Sequence, residues 1–218
     1  MISRNMKMLF YAVAGPIMKF NGFFHYHFKG KSKANLKIHL GPGQKKYIEG
    51  WCNLDANIFS GKVDVWVDLR NRIPFEAGSA EAVYSHHVIE HLPDLRKHFA
   101  DVYRVLKPGG VYRVGGPNGD VAIRKFVERD LNWFGVWPDR YESIGGRFAN
   151  FIFCRNEHLT ILTESFMQEL AQEAGFKVGN VMHPKTETGR PDIFSVCLAL
   201  ENDEPVGSTT TLILEFEK

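Results

Sequence analysis

The chain has 218 residues, which is enough for one α/β domain with a buried core but short for two. Its composition, 44% hydrophobic and 24% charged residues, is that of an ordinary globular protein, and the net charge is only +2. Three widely spaced cysteines, Cys52, Cys154 and Cys197, argue against both a disulfide framework and a paired-cysteine zinc site. We therefore expect a reducing, cytoplasmic environment and predict no metal site.

Residues 1–35 form a basic and aromatic N-terminal arm. Nine lysines and arginines precede the first acid, Glu49, and five aromatic residues lie between Phe20 and Phe28. This mixture is typical of a peripheral contact with a membrane surface or a polyanion. The alternative is a solvated arm whose aromatic side chains pack on the protein's own core. The uncharged stretch from Met8 to Met18 is too short to span a bilayer, which takes about 20 apolar residues.

Residues 36–218 alternate short apolar runs with helical patterns. This alternation predicts one domain with a mostly parallel sheet covered by helices on both faces. The predicted strands are Leu36–Leu40, Cys52–Asp55, Val63–Asp68, Ala82–Ser85, Val111–Val114, Lys177–Met182 and Thr209–Phe216. The last strand is chosen over the apolar run Ile193–Leu200 because its β-branched content is higher.

Three helices are predicted among the later strands. The first has an apolar stripe that consists of Leu95, Phe99, Val102 and Leu106. Lys107–Gly110 is predicted to stop it, and Asp120 is predicted to cap the second helix. The third helix is predicted to begin after Thr163 and to end at Gly175.

Residues 131–157 form an insertion that is rich in aromatic residues and glycine. An insertion of this length after a strand often covers a substrate. An ordinary packed excursion of the chain is the alternative, and the sequence does not decide between them.

Gly41-x-Gly43 follows the first predicted strand, and Asp55 ends the second. Glycine lets the backbone approach a ligand closely and adopt positive φ, while an acid at the next strand end accepts hydrogen bonds from ribose hydroxyls. The pattern has no third glycine, and Asp55 follows sooner than the roughly 20 residues typical of a dinucleotide fold. These features disfavour a nicotinamide-dependent reductase.

Several segments, in order, resemble the class I S-adenosylmethionine (SAM)-dependent methyltransferases, and most closely the methyltransferase type 11 group. They are LGPGQKKYIEGWCNLD at 40–55, AVYSHHVIEHL at 82–92, RVLKPGG at 104–110 and ELAQEAGF at 169–176. The resemblance covers about residues 36–176. It implies an α/β fold with a Rossmann-like, seven-stranded, mostly parallel sheet and helices on both faces, and SAM as the cofactor.

The resemblance also implies a cofactor-binding set. Gly41 and Gly43 would approach the methionine part of SAM, and Asp55 would bind the ribose. Asp68 and Leu69 would lie near the adenine. Ser85 and His86 would border the cofactor at the end of the fourth strand.

Methyl transfer to a hydroxyl or an amine also requires that a proton be removed. Histidine suits this task near neutral pH, so His87 is the first candidate for the general base and His158 is the second. Glu90 and His91 are interpreted as structural residues at a helix start.

Nucleic acid is disfavoured as the acceptor, because neither an Asn-Pro-Pro-aromatic motif nor a Pro-Cys nucleophile is found. The subgroup that the chain resembles is often associated with saccharide modification. The leading hypothesis is therefore methyl transfer to a hydroxyl of a saccharide or another small polar acceptor. The alternative is a non-catalytic Rossmann-like protein that binds a partner through its basic arm.

Overall fold

A seven-stranded sheet organises the protein, in the order β3-β2-β1-β4-β5-β7-β6. The computed structural model describes residues 4–29, 35–44, 46–57, 59, 61–202 and 204–218. The strands are β1 Leu36–Leu40, β2 Cys52–Asp55, β3 Val65–Trp66, β4 Ala80–His86, β5 Leu106–Pro117, β6 Asn180–Met182 and β7 Thr211–Glu217. Strand β7 runs antiparallel to its neighbours, β5 and β6, whereas the pairs among β1 to β5 are parallel. The predicted mostly parallel sheet is confirmed.

The helices are α1 Arg4–Phe24, α2 Leu95–Val105, α3 Gly119–Val127, α4 Ile144–Phe153, α5 Glu164–Ala174 and α6 Pro191–Leu198. A π-helical segment, His25–Lys29, continues α1. Thr163 caps α5 by accepting a hydrogen bond from the Phe166 amide, and Gly175 ends it with a φ of 103°, both as predicted. No helix forms between β1 and β2 among the residues described there, 41–44 and 46–51.

Helices cover both faces of the sheet because successive side chains of a strand point to opposite sides. On one face, Tyr112 and Val114 of β5 belong to the main apolar core, together with Phe99 of α2 and residues of α5. On the other face, Tyr84 of β4 packs in a cluster that contains Phe194 of α6. The predicted helices on both faces are thereby confirmed.

Several predicted boundaries are wrong. The fifth strand, predicted as Val111–Val114, is longer, and the sixth, predicted as Lys177–Met182, is shorter. The third strand has only two residues instead of the predicted Val63–Asp68, because the flanking acids form turn hydrogen bonds: Asp68 accepts from the Arg70 amide. The helix α2 ends at Val105, before Leu106. The segment Lys107–Gly110, which was predicted to stop this helix, is also part of β5. The cap of α3 is Asn118, whose side chain accepts from the Val121 amide, whereas Asp120 accepts from the Glu164 amide at the start of α5.

Of the two apolar runs near the C-terminus, the later one forms the closing strand, as predicted. Thr211–Glu217 closes the sheet as β7, and Pro191–Leu198 forms α6 instead of a strand. A buried ion-pair group joins these parts, because the Arg113 guanidinium contacts Glu201 at 2.8 Å and Glu215 at 2.6 Å. These bonds attach β7 and the segment after α6 to the centre of the sheet.

Helix α1 lies against the β3 edge of the sheet. Its Met18 is buried, Asn21 donates to the Trp66 carbonyl at 2.8 Å, and the Arg70 guanidinium lies 3.8 Å from the centre of the Tyr11 ring. The described part of the N-terminal arm is therefore helical, and one side of it packs on the domain. None of the described helices combines the length and apolarity needed to cross a bilayer.

Candidate active site

The glycine loop after β1 and the end of β2 meet at one point. Gly41 has a φ of 71° and Gly43 a φ of 56°, values that favour glycine. The Gly43 amide donates to Asp55 Oδ2 at 2.9 Å, and the Asn57 amide donates to Asp55 Oδ1 at 2.9 Å. This places the half-buried Asp55 carboxylate beside the loop, with lone pairs left for further donors.

The two glycines have different surroundings. A Cβ on Gly41 would lie 2.3 Å from Val88 Cγ2, whereas a Cβ on Gly43 would have no atom within 4 Å. Gly41 is thus required for packing against the segment after β4. The side of the loop at Gly43 is therefore open. A backbone surface that a ligand approaches must be open in this way. The geometry fits the contacts predicted for the methionine and ribose parts of SAM.

Asp68 and Leu69 follow β3, as the adenine-side residues should. The Asp68 carboxylate is buried and forms a bidentate pair with Arg70, whose Nη2 lies 2.7 Å from Oδ2. Leu69 lines a shallow cleft together with Leu92 and Lys97. Asp68 already has a protein partner, so Leu69 is the residue of the two that is freer to contact a base.

Ser85 and His86 end β4 but face opposite sides of the sheet. The Ser85 hydroxyl lies in the core, 3.3 Å from the Tyr112 hydroxyl, so only its backbone could border a ligand. His86 is 4% exposed, and neither of its ring nitrogens has a hydrogen-bond partner among the described residues. Burial, with nearby cations including Lys46, lowers the pKa of His86 to about 2. It is therefore a neutral imidazole with free polar atoms beside the loop.

His87 begins a group of four side chains that we call the Glu90 cluster: His87, Glu90, His91 and His158. His87 has a φ of 56°, and its Nδ1 lies 3.2 Å from Glu90 Oε1. Its Nε2 lies 3.2 Å from the Thr211 hydroxyl on β7. Burial would raise the pKa of Glu90, but the His87 hydrogen bond and the nearby charges of His87 and His91 hold this pKa below its usual value. Glu90 is thus a buried carboxylate.

His158, the second base candidate, lies in the same cluster. The Leu159 amide donates to the Glu90 carbonyl at 2.7 Å, which attaches the end of the insertion to the turn after β4. The rings of His91 and His158 are 5.0 Å apart. Burial lowers the pKa of His158, so its neutral form dominates near pH 7. The structure therefore brings both predicted bases to one carboxylate.

Glu90, His91 and Thr211 were not among the predicted functional residues. Glu90 and His91 do form a helical turn, Ile89–His91, as interpreted, but they also contact the base candidates. The pair carried a usable signal, because Glu90 and His91 add two more ionisable residues within four positions of His87. Thr211 carried none, since 124 positions separate it from His87.

Two peripheral elements lie close to the strand ends. Helix α1 reaches the end of β3, where the Arg70 guanidinium lies over the Tyr11 ring. Burial and the Asp68 carboxylate raise the pKa of Tyr11, against the opposing effect of Arg70. The insertion packs as a separate aromatic cluster around Phe134 and Ile152. Whether the insertion covers a substrate stays a prediction.

The strand order, the antiparallel β7 and a ligand-facing loop at the β1/β4 switch point define a Rossmann-like fold of the methyltransferase type. A solved SAM-dependent methyltransferase from Archaeoglobus fulgidus shares it, with a TM-score of 0.53 at 12% identity over 96% of this chain and 94% of that chain. This likeness shows the fold.

The sequence comparisons identify the domain more closely. Residues 52–114 match the methyltransferase type 11 family, described as a methyltransferase domain. A probable SAM-dependent methyltransferase of Mycolicibacterium smegmatis is 35% identical over 77 residues, 30% of this chain and 30% of that protein. Phosphoethanolamine N-methyltransferase 2 of Caenorhabditis elegans is 30% identical over 116 residues, 45% of this chain and 26% of that protein. Residues 52–114 are thus similar to a methyltransferase domain, and the chain spans less than a third of the length of these curated relatives.

Proposed function

We propose that the chain transfers a methyl group from SAM to a hydroxyl of a small polar acceptor, with a saccharide as the leading class. The S–CH₃ bond of the sulfonium would break as the O–CH₃ bond forms, and the acceptor hydroxyl would lose its proton. SAM supplies an already activated methyl group, so the protein has to align the acceptor, exclude water and receive that proton. The observation that carries the proposal is the His87–Glu90 pair at the end of β4.

The cofactor half of the site supports SAM binding. The open backbone at Gly43 and the adjacent Asp55 carboxylate provide a close approach and hydrogen-bond acceptors for ribose hydroxyls. The buried, unpaired nitrogens of His86 provide further polar atoms beside the loop. Asp55, Gly41 and Gly43 would hold the cofactor, with its adenine toward Leu69.

His87 is the residue of the Glu90 cluster best placed to receive the proton. Its Nδ1 is oriented by a buried carboxylate, which is the arrangement in which an imidazole acts as a base. Its side chain is 35% exposed, so an acceptor can reach it. An acceptor hydroxyl that replaced Thr211 at Nε2 would be hydrogen-bonded as general-base catalysis requires.

An acceptor screen tests the proposal. Purified protein is incubated with SAM and a panel of monosaccharides and nucleotide sugars, and S-adenosylhomocysteine formation is measured against phosphoethanolamine and histamine. We expect turnover with at least one hydroxyl acceptor. Turnover with amines alone would mean that the acceptor group is an amine and not a hydroxyl. The similarity to a phosphoethanolamine methyltransferase would agree with that result. SAM binding without turnover on any acceptor would support the non-catalytic alternative.

We also propose that α1 binds the cytoplasmic surface of a membrane rich in anionic lipid. Five apolar residues recur at helical spacing on the side of α1 that faces away from the domain: Leu9, Val13, Ile17, Phe20 and Phe24, which are 42–69% exposed. The first 48 residues of the chain contain cations and no acid. An apolar stripe beside cations is what an interfacial helix needs, and anionic lipid attracts those cations.

Vesicle sedimentation tests this second proposal. We expect the protein to sediment with phosphatidylcholine vesicles that contain phosphatidylglycerol, less so at high salt, and weakly with phosphatidylcholine alone. The double substitution Val13→Glu/Phe20→Glu should abolish sedimentation, whereas Val206→Glu, at an even more exposed apolar site in a loop, should not. Equal sedimentation of the double variant, or none for the intact protein, would contradict membrane binding.

A further inference from the structure

We propose that Glu90, His91 and His158 bind one divalent transition-metal ion at the end of β4. Each residue offers one ligand atom, and the three atoms lie within 4.8 Å of one another. Ligands bound at about 2.0–2.2 Å to one tetrahedral ion lie about 3.3–3.6 Å apart. Small side-chain rotations would therefore bring the three atoms to one ion, and no change of the backbone is needed.

Both histidines are already oriented as metal ligands. His91 Nδ1 lies 2.9 Å from the Glu157 carbonyl oxygen, and His158 Nδ1 lies 3.1 Å from the Ile152 carbonyl oxygen. A carbonyl can only accept, so the proton of each neutral ring is on Nδ1 and the lone pair is on Nε2. Metal-binding histidines characteristically donate their second N–H to a carbonyl or carboxylate in this way.

The carboxylate of Glu90 has one oxygen that the protein leaves without a partner. Glu90 is 0% exposed, and its Oε1 lies 3.2 Å from His87 Nδ1. Its Oε2 is buried and has no hydrogen-bond partner among the described residues. A buried carboxylate oxygen is unfavourable when unpaired. The other oxygen, Oε1, lies 3.9 Å from His91 Nε2, so a cation bound by both carboxylate oxygens would satisfy Oε2 as well.

The donor set indicates the type of ion. Two imidazoles and one carboxylate suit zinc, iron(II), cobalt(II) or nickel(II), whereas magnesium and calcium prefer oxygen ligands. Three protein ligands leave coordination positions open, as in catalytic and not in structural zinc sites. The side chain of His91 is 42% exposed, so the open positions can be reached from solvent.

The location suggests what the ion would do, an inference that rests on the proposed function. An acceptor hydroxyl bound at an open position would become more acidic. His87 would receive the proton of that hydroxyl, whose oxygen would form the new bond to the methyl group as the S–CH₃ bond breaks. His158 would then act as a metal ligand, and His87 would remain the base.

Metal titration tests the site directly. Untagged protein is stripped with a chelator and titrated with Co²⁺, whose visible absorption reports ligand geometry, and with Zn²⁺ in competition. We expect one equivalent per chain, and at least about tenfold weaker binding for His91→Ala, His158→Ala and Glu90→Gln. His183→Ala, which removes a histidine outside the cluster, should bind the ion like the intact protein.

SAM calorimetry on each variant separates loss of a ligand from loss of the fold. A variant that binds SAM normally but has lost the ion confirms the site, and Glu90→Gln serves for this purpose because it preserves the shape of the side chain. Unchanged metal affinity in the His91→Ala/His158→Ala double variant, or no saturable binding to the intact protein, would overturn the proposal. If the intact protein binds SAM but no metal ion, the metal site is overturned and the proposed function is not. A bound ion without methyl transfer overturns only the proposed function.

Discussion

The two halves of the candidate site are built from very different amounts of chain. The cofactor half consists of Gly41, Gly43 and Asp55, which lie on two adjacent strands and the loop between them. The acceptor half is the Glu90 cluster, which also depends on the end of the insertion and on Thr211 of β7. A short stretch of sequence therefore specifies the first half, whereas only the completed sheet produces the second.

The two halves also offer different chemistry. The cofactor half presents open backbone and a carboxylate that accepts amide hydrogens, groups that bind a ligand without taking a proton from it. The acceptor half presents imidazoles around a buried carboxylate, groups that can take up a proton or bind a cation. Gly41 joins the halves, because its α-carbon packs directly on Val88. We therefore expect that substitutions in one half, except at Gly41, leave the other half's function intact.

The largest effect is expected from His87→Ala. Loss of a general base should lower kcat about 10²–10⁴-fold. SAM affinity should change little, because His87 contacts Glu90 and Thr211 and not the glycine loop. Steady-state kinetics and SAM calorimetry measure the two quantities separately, with His183→Ala as the control. A kcat within tenfold of the intact protein would remove His87 from the mechanism.

Gly41→Ala should damage both halves together. The new Cβ would meet Val88 at a φ of 71°, so strain and overlap add to about 2–3 kcal/mol of lost unfolding free energy. Gly50→Ala is the matched control, since Gly50 has a φ of 79° but no atom within 4 Å of a Cβ. Urea denaturation should show the larger loss for Gly41→Ala. Equal losses would mean that the contact with Val88 is unimportant.

A smaller effect is expected at His98, which supports the sheet but belongs to neither half. Burial lowers the pKa of His98 to about 4, against the opposing effect of Asp101, and its Nε2 lies 2.9 Å from the Tyr112 hydroxyl. The unfolded chain binds this proton at a pKa of about 6.5, so stability is complete above that pH and falls as the pH drops toward 4.

Between pH 7 and pH 5 this one histidine should cost about 2 kcal/mol of unfolding free energy. In His98→Gln the pH dependence should be shallower by that amount. The control His183→Gln, at a half-buried loop histidine, should keep the slope of the intact protein. Denaturation at the two pH values measures both. An unchanged slope in His98→Gln would show that His98 is not held neutral by the fold.

The cofactor half and most of the fold could be predicted because their signals are local. A cap at Thr163, a glycine at the end of α5 and a Gly-x-Gly after an apolar strand each act within a few residues. Their positions are therefore determined by the sequence close to them. The cap of α3 was wrong because Asp120 bonds to a separate segment, at the Glu164 amide.

The acceptor half could be predicted only in part. His87 and His158 were selected as isolated candidates, but their meeting at Glu90 depends on the bond between the Leu159 amide and the Glu90 carbonyl. Likewise, Thr211 reaches His87 only because β7 inserts beside β5 in antiparallel orientation. Pairings between distant segments leave no periodic pattern in the sequence, so the cluster could not be read from it.

SAM calorimetry on the intact protein, Asp55→Ala and His87→Ala tests the division of the site most directly. The account predicts that the intact protein binds SAM, and that Asp55→Ala weakens binding by about 1–3 kcal/mol because hydrogen bonds to a charged group are lost. His87→Ala should bind SAM as the intact protein does. No SAM binding by the intact protein, or equal weakening by both substitutions, would contradict the account.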